Sequence, residues 1–394
     1  MKLVDGGICA VKGVKAAAIK EGKNGLAIIE GEGNAAGVFT RNKIIAPPLI
    51  LTKEKIIRTN KISALIVNSG NANAFTGYQG MEDAKEMAHI VHRYLGYSED
   101  NIAVSSTGII GKKMDMEFIR RQAAVVVNKL ENSKKSSHDV ADAITTTDTF
   151  KKEIAVELSS GARIGGLAKG SGMIEPNMGT MLAFIYTDAD INSATLDTCL
   201  KKAVDKSFNM ITVDGDTSTN DMVLLISTGK AIVNPNIEEF QKGLDCILTG
   251  LAKMIAIDGE GATKLIEARI INASSEKDAK LAAKSIVRSM LVKAALFGED
   301  PNWGRIIAAV GYSGCDLIEN KISLSFSSGE NIINLVENGN IISLDNIEQE
   351  KLKAVMSEEH IFINVNLNNG KYKATAWGCD LSYDYVKINA EYTT

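Results

Sequence analysis

Apolar positions along the chain follow two rhythms. Short continuous runs at 26–29, 36–39, 64–68, 102–105, 154–158, 163–167 and 182–186 have the length and composition of buried strands. Between them, Met81, Ala84, Ala88, Val91 and Leu95 recur at helical spacing and predict an amphipathic helix closed by Gly96. Asp115 is placed to cap a helix reaching about Leu130, and the segment from there to His138 is polar and linker-like. Ser193 is placed to cap a helix to about Phe208, a further helix covers 237–255, and one long amphipathic pattern spans 275–297 and stops at Gly298. Ser159-Ser160-Gly161-Ala162 predicts a hairpin between two of the strands, and Asn368-Asn369-Gly370 predicts another between 361–366 and 372–377. Strand and helix alternate at first, and past Ile306 the chain turns strand-rich.

The 394 residues suffice for two or three domains, and 45% hydrophobic with 23% charged residues is an ordinary balance for a globular chain. A formal net charge of −4 and a pI near 5.8 leave no basic footprint for nucleic acid. The cysteines Cys9, Cys199, Cys246, Cys315 and Cys379 are odd in number and scattered, which argues against a disulfide framework or a C-x-x-C site and fits a reducing cytoplasm. His89 and His92 stand three apart on a predicted helix without the carboxylate or thiolate spacing of a zinc site, so they read as part of a helix face. The first residues carry no apolar h-region, and no run approaches the roughly 20 apolar residues of a bilayer span. Neither secretion nor membrane insertion is expected.

Chemistry concentrates in one stretch, where Lys169-Gly170-Ser171-Gly172 and Pro176 lead into Gly179, Thr180 and an apolar run. A cut between Gly179 and Thr180 would give Thr180 a free α-amine, with an unperturbed pKa of about 8, beside its own hydroxyl; nucleophile and general base would then share one residue. Gly179 tolerates the strained backbone such a cut requires. On its own the stretch reads more readily as a loop entering a buried strand, and as a phosphate cradle it lacks the G-x-x-x-x-G-K-[ST] order and a following helix. Ser106-Thr107-Gly108 offers a hydroxyl and a backbone N–H that suit either an oxyanion hole or a simple turn. Thr145-Thr146-Thr147-Asp148-Thr149 offers hydroxyls to a small polar substrate or to a turn, and Asn68-Ser69-Gly70-Asn71-Ala72-Asn73-Ala74 suits a tight turn. The polar loop 212–221 carries three aspartates but lacks the spacing and the closing glutamate of a calcium loop, which favours a hydrogen-bonded structural role. Asp258-Gly259-Glu260-Gly261 sets an acid in a turn before a strand.

Taken in order, these motifs, with residues 298–305 and the Asn389 to Thr394 tail, closely resemble the ornithine acetyltransferase (glutamate N-acetyltransferase) family of arginine biosynthesis over nearly the whole chain. The resemblance implies self-cleavage into an α chain (1–179) and a β chain (180–394) that stay together, as α2β2. It implies an α/β (α+β) fold, a four-layer αββα sandwich like that of self-processing aminopeptidases, with an additional smaller α/β C-terminal domain that is strand-rich from about 285. Thr180 becomes the nucleophile, Thr107 and Gly108 the oxyanion hole, and Thr146 (or Thr147 in the alternative register), Lys169, Thr180, Glu260, Asn389 and Thr394 the substrate-binding residues. The implied substrates are N2-acetylornithine and L-glutamate, the products ornithine and N-acetylglutamate, and the course ping-pong through an acetyl-Thr180 enzyme. No metal or organic cofactor is implied; acetyl-CoA is a co-substrate in the bifunctional form, with a monofunctional enzyme or a related self-processing amidase as alternatives. Two positions depart from the family: Gly179 stands where alanine is common, and Phe150-Lys151-Lys152 stands where a proline usually follows the threonine motif.

Overall fold

The computed structural model describes residues 1–175, 181–231, 233 and 236–391. The described residues form two compact units, one made of Met1–Asn209 and Asp216–Ile255 and the other of Met210–Gly215 and the described residues from Ala256 onward.

In the first unit the strands are β1 (Lys2–Val4), β2 (Lys15–Glu21), β3 (Asn24–Phe39), β4 (Lys61–Ser69), β5 (Ile102–Ser106), β6 (Lys152–Glu157), β7 (Arg163–Lys169) and β8 (Leu182–Thr187). After β9 (Ile211–Thr212), which belongs to the second unit, comes β10 (Met222–Ser227). The order is β1-β6-β7-β8-β10-β3-β4-β5, with β2 also on β3. β8 and β10 are parallel, as are β4 and β5, and the remaining pairs are antiparallel.

The bend in β3 folds this sheet into two layers. Residues 24–30 pair with β2 and β4, residues 34–39 pair with β10, and the register shifts between Glu30 and Gly33. Gly33 is needed there: a Cβ would lie 1.9 Å from the Ser227 carbonyl oxygen. Ala27, Ile29, Leu65 and Val67 of one layer meet Leu182, Phe184, Tyr186, Leu224 and Ile226 of the other in a single buried core. The alternate residues Leu26, Ile28, Ala64 and Ile66 face outward, against helices α2 and α3.

The helices of this unit are α1 (Pro47–Thr59), α2 (Gly77–Leu95), α3 (Met116–Val127), α4 (Lys134–Ala143), α5 (Ser193–Lys206) and α6 (Ile237–Ile257). Met87 and Val91 of α2 and Ile119 and Ala123 of α3 cover the first layer. Ile247 and Leu251 of α6 lie over Gly166 and Ile185, where a larger residue than glycine would collide with them. Helix, sheet, sheet and helix thus make the expected four-layer αββα sandwich. Gly96 closes α2 in the left-handed conformation, and the Asp115 side chain accepts from the Phe118 N–H, both as predicted.

The second unit holds its own seven-stranded sheet, so the expectation of a further α/β body is met. Its later elements are β11 (Leu265–Ala273), α7 (Glu276–Arg288), α8 (Met290–Phe297), α9 (Trp303–Gly311), β12 (Ser323–Ser328), β13 (Asn331–Glu337), β14 (Asn340–Ile341), α10 (Asn346–Ser357), β15 (His360–Asn366), β16 (Tyr372–Cys379) and α11 (Tyr383–Glu391). The sheet order is β14-β13-β12-β15-β11-β16-β9.

Four local expectations fail for identifiable reasons. Asn368-Asn369-Gly370 does not close a hairpin, because β11 lies between β15 and β16, parallel to the first and antiparallel to the second. The turn instead clasps the end of β11, with Leu367 N donating to Ile271 O (3.1 Å) and Asn369 N to Asn272 O (2.8 Å). The long pattern 275–297 is two helices, since Ser289 leaves helical geometry (φ −65, ψ 114) and its hydroxyl accepts from Val292 N. Asn192, not Ser193, caps α5, and the polar segment before His138 already contains the start of α4, capped by Ser133.

Candidate active site

The turn after β4 and the turn after β5 are stitched together. Thr107 N donates to Asn68 O (3.0 Å) and Ala72 N to Ile109 O (3.0 Å). The Asn220 side chain then donates to Ala72 O (2.6 Å) and Ser106 O (2.8 Å), tying both turns to the entrance of β10. Gly108 has φ +133, and a Cβ on it would sit 2.3 Å from the carbonyl carbon of Gly70. Only glycine allows this backbone contact, which holds Thr107 in place and presents the Gly108 N–H. Among the described residues that N–H donates no hydrogen bond.

Lys169 ends β7 with its side chain mostly buried. Its ammonium donates to Thr146 Oγ1 (2.9 Å) and reaches Thr107 Oγ1 (3.4 Å). Three motifs separated in sequence therefore converge on one ammonium group. Of the two candidate registers in the threonine run, the structure brings Thr146 to the lysine; Thr147 makes no hydrogen bond to it.

Beneath these groups lies Asp148, fully buried, which sequence reasoning did not single out. It accepts from Gly170 N (2.6 Å), from Thr146 N (3.1 Å) and from Lys152 Nζ (2.7 Å), and its other oxygen stands 4.0 Å from Lys169 Nζ. Burial alone would raise its carboxyl, but Lys169, Lys152 and the Gly170 N–H outweigh it and hold the group down to about 2.

Asp221, at the entrance of β10, behaves in the opposite way. Burial pushes its carboxyl well up, against the opposing influence of the Thr40 and Ser218 hydroxyls, the Lys169 charge and the Met181 N–H, and its Oδ2 makes no hydrogen bond among the described residues. Its own carbonyl accepts from Thr40 N (3.0 Å), and the next residue meets Met181, with Met222 N donating to Met181 O (3.0 Å). A raised folded pKa means that folding favours the neutral acid, so that stability falls as pH rises above the ordinary carboxylate range. We expect D221N, which mimics the neutral acid, to gain melting temperature relative to wild type as pH rises above about 4; a constant difference from pH 4 to pH 7 would refute this assignment.

Glu260 and Asn389 come together in the second unit. Asn389 on α11 donates to Glu260 Oε2 (2.8 Å). Gly261 (φ +69) packs against the start of that helix, where a Cβ would meet Tyr385 N at 2.5 Å. Asp380 secures the strand entrance by accepting from Thr263 N (2.8 Å) and Lys264 N (2.9 Å). Gly179, Thr180 and Thr394 lie outside the described residues. Among the described residues no cluster of histidine, cysteine or acidic side chains has the form of a metal site, and no helix is long and apolar enough to cross a membrane.

The sequence profile of the ArgJ family matches residues 11–394. A protein of Methanosarcina mazei named glutamate N-acetyltransferase is 56% identical, with both chains covered in full. One of Archaeoglobus fulgidus, named arginine biosynthesis bifunctional protein ArgJ, is 49% identical over 98% of this chain and 100% of its own. A solved ArgJ structure from Bacillus halodurans is similar at 43% identity and a TM-score of 0.51, covering 54% of this chain and 100% of the solved chain.

Proposed function

The chain belongs to the ArgJ family of acyltransferases, and from that premise we propose that it transfers the acetyl group of N-acetylornithine to glutamate through an acetylated Thr180, after cutting itself between Gly179 and Thr180. The observation that carries this reading is the convergence of Thr107, Thr146 and Lys169 from three separate segments. The solved Bacillus halodurans chain supports it as well, because it is matched along its whole length yet covers 54% of this chain, about the share that a β chain beginning at Thr180 would make up.

In this mechanism the Thr180 α-amine takes the hydroxyl proton as Oγ attacks the acetyl carbonyl. The Thr107 hydroxyl and the Gly108 N–H receive the oxyanion, and Lys169 polarises Thr107 from behind. Ornithine leaves with the proton, and the amine of glutamate attacks the acetyl-enzyme to regenerate Thr180. Glu260, steadied by Asn389, is suited to pair with a substrate ammonium group. Every step uses protein groups alone, and acetyl-CoA enters only as an alternative acetyl donor. The cleaved chains assemble as α2β2 in the cytoplasm.

Incubation with N-acetylornithine and glutamate tests the reading: N-acetylglutamate should form faster than acetate. Predominant acetate release would make the protein a hydrolase. Thr107→Val keeps the shape but removes the hydroxyl, and should lower kcat about 10²- to 10³-fold while KM changes little. A KM effect of the same size without loss of kcat would move Thr107 from the oxyanion to ground-state binding.

A further inference from the structure

Asn220 stands just before β10 with its side chain buried. Both ends of its amide are engaged. Nδ2 donates to Ala72 O (2.6 Å) and to Ser106 O (2.8 Å), and Oδ1 accepts from Thr219 Oγ1 (2.6 Å). A planar amide presents its two N–H groups in one fixed fork, and away from water neither bond can be exchanged for a solvent one. The fork therefore sets where the two carbonyls stand with respect to β10.

Those carbonyls belong to the two turns that build the corner at Thr107 and Gly108. Ser106 immediately precedes Thr107, while Ala72 lies in the turn whose Gly70 packs against Gly108 and donates its own N–H to Ile109 O. The backbone bonds from Thr107 N to Asn68 O and from Ala72 N to Ile109 O fasten the two turns to each other. The Asn220 fork fastens the pair to β10. From there the connection runs to the nucleophile segment, because Met222 donates to Met181 O (3.0 Å) and opens the parallel pairing of β10 with β8. Met181 directly follows Thr180 in the chain.

We propose that Asn220 is a positioning residue for acetyl transfer: its amide fork fixes the separation between the oxyanion donors at Thr107 and Gly108 and the strand that follows Thr180. This rests on the acetyl-transfer reading and adds to it a buried residue that acts through its neighbours. In a protein cut before Thr180 the fork joins the two chains, since Ala72 and Ser106 precede the cut and Asn220 follows it. Oxyanion donors are effective only when already in place, and a displacement on the order of 1 Å can cost about a hundredfold in rate.

The test compares kcat and KM for transfer from N-acetylornithine to glutamate in cut wild-type enzyme, N220A, T107V and N220A/T107V. N220A should lose about tenfold or more in kcat with KM for either substrate changed less than about threefold, the pattern of lost transition-state stabilisation. Because Asn220 acts through the corner that holds Thr107, its removal should cost less in the T107V background than in wild type, and the double variant should be faster than the product of the two single losses. Wild-type kcat in N220A, a loss expressed mainly in KM, single losses that multiply, or a folded N220A that stays uncut would overturn the proposal. If N220A shows no cooperative melting transition, N220S, whose hydroxyl keeps one donor, takes its place in the same cycle and is held to the same outcomes. Wild-type enzyme that transfers nothing to glutamate would instead remove the functional reading, an outcome distinct from either.

Discussion

Thr180→Ala should yield a single uncut chain of 42.2 kDa with no measurable acetyl transfer, whereas the wild-type protein under denaturing conditions should give two masses that meet between Gly179 and Thr180. The reason is chemical economy. In the proposed mechanism the hydroxyl is the attacking group in the precursor, and after the cut the same hydroxyl and the new amine perform turnover, so one substitution removes both events. Thr180→Ser keeps the hydroxyl and should retain some of each. Intact-mass spectrometry and a transfer assay on the same preparation decide it: an active wild-type enzyme that remains one chain would falsify the mechanism.

Asp148→Ala should have the largest effect on stability. It withdraws from two lysines a carboxylate that no solvent can replace, and breaking a buried ion pair from one side typically costs about 3–5 kcal/mol. For a unit of this size that corresponds to a fall in melting temperature of roughly 10 °C or more. The pH dependence follows from the same group. Its carboxyl is held at about 2, below the ordinary carboxylate value of about 3.9, so its stabilisation is complete above that value and is lost as pH falls towards 2. The amount at stake is on the order of 2 kcal/mol. Wild-type protein should therefore lose melting temperature between pH 4 and pH 2 by more than Asp148→Ala does. Parallel curves for the two would show that Asp148 is not the titrating group.

Much of the frame was legible from the sequence because its determinants are local. Asp115 and Gly96 end helices by interactions within one turn, and the apolar runs of β4, β5 and β8 declare burial by themselves. The convergence of Thr107, Thr146 and Lys169 was anticipated only through resemblance to a family; their spacing of tens of residues carries no geometric information. Asp148 and Lys152 escaped notice for a related reason. Each sits in a polar-looking stretch, and only the folded chain shows that both are buried and paired. Asn368-Asn369-Gly370 misled because its turn chemistry is correct while the strand partner comes from β11, more than 90 residues earlier in the chain. Asp221 looked like one of several loop acids, and nothing in its neighbours marks it as the buried one.

The strand order of the first unit has a consequence for the cut protein. β8 and β10, which follow Thr180, are inserted between β7 and β3, which precede it. The two products of the proposed cut would thus be interleaved within one sheet and share both of its flanking ladders. Such an arrangement favours folding before cutting, while the chain is still continuous. Unfolding after the cut would separate the pieces, and refolding would become a bimolecular search that depends on concentration. The persistence of a cut protein would then be governed by its rate of unfolding and no longer by an equilibrium within a single chain.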